Sequence, residues 1–209
     1  MTVAFDGPPL ATIGLRLLAI AGALVAWHFS QRLIGERALA GERIVDHLHQ
    51  LSTPANTWLH EHPGAAKALL IVSSLAIDLS TLFVLAYAVV GPSFLPFWGL
   101  LALFVLRFLS QTAVALPAPT GIIWRHPGFP SLFVTYAVAN DFFFSGHTAL
   151  AVYGAMQMAS LGLPALTALA VLLAVSQMVL LIVLRAHWTL DVITGALAAL
   201  CVGLLFSGA

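Results

Sequence analysis

His187 and Asp191 stand four residues apart at the start of a long apolar run. On a helix this spacing puts them on one face, one turn apart. A carboxylate placed there accepts from one ring nitrogen and leaves the other free to attack an electrophile or take a proton, the orienting arrangement of a His–Asp catalytic pair. A helix-end salt bridge has the same spacing. Forty positions earlier, Ser145-Gly146-His147-Thr148 opens another apolar run. Ser145 suits an N-cap, and Gly146 keeps the first turn free of side-chain bulk. Free backbone N–H groups at a helix start, with the positive end of the helix dipole, make an anion site that suits a phosphate oxygen. His147 beside it could protonate a leaving oxygen. An ordinary capped helix start would look alike.

Arg107 falls inside an apolar run, and Arg185 stands two residues before His187. Ionisable residues in such runs usually face a polar cavity, and a guanidinium grips a phosphodiester through paired N–H donors. Snorkelling to the membrane surface is the alternative. Asp78, in the middle of its run, could neutralise an arginine or help hold a polar headgroup. Asp141, four before Ser145, could cap the following helix or face the headgroup. His47, His49, His60 and His62, with Glu61, form a loose cluster whose spacing fits no tight metal site. They read as solvated side chains at the membrane interface, and neither a metal nor a cofactor is expected.

These residues need elements to position them, and composition says which. The chain has 209 residues, 61% hydrophobic and 8% charged. A soluble domain carries about 25% charged residues, so this chain lacks the polar surface to coat one. Apolar runs of about 20 residues recur, the length that a bilayer core demands. A β-barrel would alternate apolar and polar residues instead. Net charge is zero with neutral histidines, which offers no basic surface for nucleic acid. Cys201, the single cysteine, lies in the last apolar run and reads as a small core residue. Residues 1–9 hold Asp6 and no Lys or Arg, which is unlike a signal peptide, so the first run reads as a permanent helix.

The expected fold is all-α and integral to the membrane: one domain over residues 1–209, a bundle of six transmembrane helices at about 10–29, 65–90, 94–116, 145–162, 164–184 and 187–206. Between the first two, residues 30–63 alternate Leu33, Ile34, Ile44, Val45, Leu48 and Leu51 with charged residues at near-helical spacing, the pattern of an amphipathic helix on the membrane surface. Six spans place Ser145-Gly146-His147 and His187 on one membrane face. Small residues on the fourth and sixth spans, among them Gly154 and Gly195, permit those two to pack closely. Arg32, Arg37, Arg43, Lys67 and Arg125 share the histidines' face, against Arg16 near the other, so the positive-inside rule puts that face in the cytosol. A bacterial inner membrane is the expected location.

Asp141-Phe-Phe-Phe-Ser145-Gly146-His147-Thr148 and His187-Trp188-Thr189-Leu190-Asp191-Val192 resemble two signature motifs of the type 2 phosphatidic acid phosphatase superfamily. The closer resemblance is to its sphingomyelin-synthase-like branch, with Trp188 in place of the usual tyrosine. The stretch from Arg107 through Thr112 to Leu116-Pro117-Ala118-Pro119 is similar to that branch as well. Arg185-Ala186-His187 resembles the plant phosphatidylcholine:diacylglycerol cholinephosphotransferases. The resemblance runs from Arg107 to the C-terminus. It implies six membrane helices and a metal-independent mechanism with three catalytic residues. In that mechanism His187 attacks phosphorus, Asp191 orients it, and His147 protonates the departing alkoxide of diacylglycerol or another lipid alcohol. Ser145, Gly146, Asp141, Asp78, Arg107 and Arg185 are then candidates for binding substrate.

The ordinary phosphatases of the superfamily carry a K-x6-R-P motif and an arginine six before the second histidine. This chain has no K-x6-R-P, and position 181 is Leu181. The expectation is therefore headgroup transfer through a phosphohistidine, from a phospholipid donor to a diacylglycerol-like acceptor. A lipid phosphatase with water as acceptor is the alternative, and a non-catalytic membrane protein with a degenerate site is a third.

Overall fold

A chain this apolar must satisfy its backbone hydrogen bonds within helices. The computed structural model describes residues 7–35, 44–136 and 142–206, and among these every regular element is a helix. They are α1 (Leu10–Gly35), α2 (His47–Leu51), α3 (Thr53–Glu61), α4 (Pro63–Val90), α5 (Leu95–Ala113), α6 (Gly146–Ala159), α7 (Pro164–Val183) and α8 (Thr189–Phe206). Proline sits in the first turn of α3, α4, α5 and α7, where its missing N–H costs nothing and its fixed φ suits the helix.

Five helices, α1, α4, α5, α7 and α8, are long and apolar enough to cross a membrane. The protein is an all-α, multi-pass membrane protein. The element at the expected span 145–162 is shorter than its apolar run. Ser145 caps α6, whose helix stops at Ala159. Its 14 residues rise about 21 Å, against a hydrocarbon core of about 30 Å.

The expected surface helix over residues 30–63 also takes another form. α1 runs on past Phe29 to Gly35, and residues 36–43 lie outside the described residues. Two short helices, α2 and α3, occupy the rest of the stretch. They are broken at Ser52, and Pro54 opens the second.

α6 is packed against α4, α7 and α8, with α5 alongside. The start of α6 meets α8 closely: a Cβ at Gly195 would lie 2.5 Å from the Ser145 carbonyl oxygen, so only glycine permits this approach. The Ser145 N–H donates to the Asp191 carbonyl at 3.0 Å, which ties the first turns of α6 and α8 together. Around them lies a core of Ile77, Leu100, Leu103, Leu150, Tyr153 and Val202. Several polar groups inside it pair with one another. Ser73 Oγ donates to Gln177 Oε1 at 2.9 Å and Gln177 Nε2 donates to the Ser73 carbonyl at 3.1 Å, joining α4 to α7. Tyr153 Oη donates to the Pro96 carbonyl at 3.0 Å.

At the opposite end of α1 from Gln31, Arg16 Nη1 donates to the carbonyls of Ala88, Val89 and Gly91, closing the C-terminus of α4 with a positive charge. α1 is otherwise peripheral. Few of its residues are buried, Ile20 and Gln31 among them, whereas α4 and α5 bury many, so α1 is a wall laid on the bundle rather than part of its centre.

Candidate active site

The start of α8 presents His187 and Asp191 as their spacing predicts. His187 is 4% exposed and Asp191 fully buried. Asp191 Oδ2 faces His187 Nδ1 at 3.4 Å and accepts from the Trp188 N–H at 3.1 Å. That pairing directs Nε2 of His187 away from α8. Across from it stands His147, in the first turn of α6, with ring centroids 6.2 Å apart and planes tilted by 53°. His147 Nε2 is buried with no hydrogen-bond partner among the described residues. Trp124 meets the His147 ring edge-on at 5.1 Å, and Phe142 meets the His187 ring at 6.0 Å, so aromatic walls close two sides.

Arg107 reaches the same place from α5. Its Nε donates to the Phe144 carbonyl at 3.2 Å and its Nη1 to Gln31 Oε1, on α1, at 3.3 Å. The guanidinium lies close against Gly146: a Cβ there would be 2.9 Å from Nε. The glycine of Ser-Gly-His is thus what lets the arginine lie beside the first turn of α6. Arg107, Gly146, His147 and Gln31 together line a small, partly open cleft. Ser145 is the N-cap, its Oγ accepting from the Thr148 N–H at 3.3 Å and the Thr148 hydroxyl at 3.1 Å.

The structure therefore brings together His147, His187, Asp191, Ser145, Gly146 and Arg107. Two other candidates go elsewhere. Asp78 accepts from Ser131 Oγ and from the N–H groups of Leu132 and Phe133, all within 3.1 Å, and so anchors the connection before α6. Arg185 donates to the Thr120 carbonyl at 2.6 Å, the His49 carbonyl at 3.1 Å and Thr53 Oγ1 at 2.9 Å. Its backbone is left-handed at φ 53, the position after a helix end where glycine is usual. This throws the side chain outward, into a cleft it shares with Asp46, His49, Thr53 and Trp188. Asp141 lies outside the described residues.

Two residues from the polar stretch after α1 hold the His187 turn from behind, one of them a histidine expected to be solvated. Asp46 caps α2 through the N–H groups of Leu48 and His49, and the same carboxylate accepts from the N–H and hydroxyl of Thr189 at the start of α8. His49 is 6% exposed. Its Nε2–H donates to the His187 carbonyl at 3.0 Å, and its ring stacks on Trp188 at 5.3 Å. Burial pushes the His49 imidazole below the usual histidine range, so it stays neutral. Asp immediately before a helix start was a legible cap. Its second partner, 143 positions on, was not.

A family model described as AtPDCT1/2, phosphatidylcholine:diacylglycerol cholinephosphotransferase, matches residues 45–207, more than three quarters of the chain. The protein belongs to this family. The match takes in α2 to α8 and with them every residue of the site except Gln31, because α1 lies before it. No curated protein and no solved structure matches the chain. Membership agrees with the cholinephosphotransferase side of the resemblance. The likeness to the wider phosphatase superfamily rests on the two histidine motifs. Among the described residues no group of three or more His, Cys, Asp and Glu side chains is gathered as metal ligands would be.

Proposed function

We propose that the protein transfers a phospho-headgroup between two lipid alcohols, with phosphatidylcholine and diacylglycerol as the lipids that the family's name points to. The observation that carries this reading is the facing of two imidazoles, a buried one oriented by a buried carboxylate and a half-buried one, beside an arginine and a helix N-terminus. A phosphorus atom held between the rings has a nucleophile on one side and an acid on the other. His187 Nε2 attacks phosphorus and forms the N–P bond. The P–O bond to the donor glyceride breaks, and the departing oxygen takes the His147 proton. In the second step an acceptor hydroxyl gives its proton to His147 and its oxygen to phosphorus, and the N–P bond breaks. Covalent catalysis divides one hard displacement into two easier ones. Arg107 and the first-turn N–H groups of α6 steady the charge on the phosphoryl oxygens. Arg185 and Asp78 act as scaffold.

On this reading α6 is a sixth, short membrane segment of a single domain. The end of the bundle that carries Arg32, Lys67, Arg125 and Arg185 lies in the cytosol. The test is purified protein in vesicles that contain phosphatidylcholine labelled in its headgroup and a diacylglycerol of different acyl composition. Labelled phosphatidylcholine carrying the acceptor's chains is expected, and it should persist in chelator. Free phosphate or phosphocholine without that product would replace transfer by hydrolysis.

A further inference from the structure

A hollow of about 500 Å³ lies between the first turns of α4 and the turn at residues 125–128, lined by Lys67, Leu70, Arg125, His126, Pro127 and Gly128. Pockets that take small ligands span about 300–1,000 Å³. The hollow shares no lining residue with the Arg107–His147 cleft or with the cleft at Arg185. We infer that it binds the phosphate group of an anionic lipid, a site separate from that of the proposed transfer reaction and independent of it.

Charge names the ligand. Lys67 and Arg125 bring two positive charges, and no acidic residue lines the hollow. Among the described residues neither side chain makes a hydrogen bond or an ion pair. Asp46, Asp78 and Asp191 are engaged elsewhere. Glu61, the acid nearest Lys67 along the chain, is exposed and lines no part of the hollow. His126 adds a donor: its Nδ1 accepts from the Gly128 N–H at 3.1 Å, which leaves the ring proton on Nε2. The wall is built, since Pro127 is buried, Gly128 turns the chain at φ 74, and the His126 ring meets Tyr136 edge-on at 5.6 Å. Lys67 Nζ lies over this turn, 3.7 Å from where a Cβ of Gly128 would stand. Two unpaired cations suit a phosphate that carries net charge. The headgroup of phosphatidylcholine brings a cation of its own, and the hollow has no carboxylate to receive it. Depth makes the ligand a lipid. α4 has 28 residues and rises about 42 Å, against a hydrocarbon core of about 30 Å. Centred on that core, it leaves about one turn in the headgroup layer at each end. Lys67 stands one turn in from Pro63, so its hollow opens at the level of the lipid phosphates.

Native mass spectrometry of the full-length protein in detergent, titrated with dioleoylphosphatidylglycerol, tests the assignment. Tighter binding than that of dioleoylphosphatidylcholine is expected. Each positive charge near a membrane surface is worth about a fivefold change in affinity for an anionic lipid. Lys67→Gln and Arg125→Gln should therefore each weaken phosphatidylglycerol binding about fivefold, and the double variant about 25-fold. Both side chains are exposed, so the variants should keep the wild-type thermal midpoint. Lys67→Arg keeps the charge and should keep the binding. Arg32→Gln removes a charge from the same end of the bundle, away from the hollow, and should leave binding unchanged. An excess of inorganic phosphate should fail to displace the lipid. Equal binding of the two lipids, or equal losses in all three Gln single variants, would overturn the inference. So would displacement by inorganic phosphate, since the ligand would then be a soluble anion. The measurement involves no headgroup transfer, so its failure and the failure of the proposed reaction are told apart.

Discussion

The Asp46 carboxylate accepts the N–H and the hydroxyl of Thr189, each at 2.7 Å, and thereby caps two helices that are far apart in sequence. His187 is two residues before Thr189, so this carboxylate sets the position of His187, the nucleophile of the proposed reaction, without touching it. Asp46→Ala should lower the thermal midpoint by the equivalent of about 1–2 kcal/mol, the cost of a lost cap. It should also reduce kcat more than it raises KM. Asp46→Asn keeps an acceptor oxygen and should recover part of both. Equal activity in all three proteins would show that α2 does not position α8.

Asp46 and His49 also give stability a pH dependence. Burial lowers the His49 pKa below 6.5, so the unfolded chain binds a proton that the folded one refuses. Stability is full above about 6.5 and falls as pH drops from there towards the folded-state value. For Asp46, burial alone would raise the pKa, but the N–H and hydroxyl of Thr189 and the His49 N–H outweigh it and hold the carboxyl below 3.8. Its contribution is present above that value and is lost as pH falls further. Thermal midpoints measured from pH 8 to pH 3 should show both declines, and His49→Gln should remove the upper one alone.

Gly146→Ala places a methyl group 2.9 Å from Arg107 Nε, and the arginine must move. Nε is held by the Phe144 carbonyl, so the movement breaks a hydrogen bond in the site. The expected result is a fall in kcat of roughly 10²-fold, the scale of a misplacement of about 1 Å, with the thermal midpoint little changed. Unaltered kinetics would separate Arg107 from the chemistry.

The two histidines should fail in different ways. Under the proposed reaction His187→Ala removes the nucleophile and should abolish acid-labile label on the protein when headgroup-labelled phosphatidylcholine is given without acceptor. On the same reading His147→Ala removes the proton carrier and should slow transfer by about 10²–10⁴-fold, while Asp191→Asn should slow it by leaving the His187 tautomer unfixed. Acid-labile label on His187→Ala at wild-type levels would place the phosphoryl group on another residue.

Ser73 and Gln177 exchange two hydrogen bonds between α4 and α7. Ser73→Ala or Gln177→Leu alone strands a buried polar group and should cost about 1–3 kcal/mol. The double variant should recover most of that, because neither partner is left behind. Unfolding in detergent, measured for all four proteins, reads the coupling directly.

Much of the site was legible where chemistry and spacing coincide. His187 and Asp191 share a helix face by arithmetic, and Ser145-Gly146-His147 reads as a capped start. The apolar runs fall on the long helices, although α1 runs on six residues past Phe29. What escaped was anything set by distant partners. His49 sits in a stretch that alternates apolar and charged residues, and its burial depends on Trp188 and the His187 carbonyl, 138 positions away. Arg185 stands two residues from His187, yet its left-handed backbone turns it away from the cleft. The end of α6 at Ala159 was hidden too, because Leu161 and Leu163 continue the apolar run past the last helical turn.

The shortness of α6 bears on which acceptor wins. Taken as the sixth membrane segment of the proposed fold, a helix about 9 Å shorter than the hydrocarbon core, fixed to the start of α8 at one end, would set His147 below the plane at which lipid headgroups meet bulk solvent. A lipid hydroxyl arrives there by sliding along the membrane. A water molecule would have to reach the two histidines past the surrounding apolar wall, which includes Trp124 and Phe142, the rings packed edge-on against them. Under the proposed reaction, the partition between exchange and loss of the headgroup is then decided by the depth of one helix end, with no need for a side chain that recognises and rejects water.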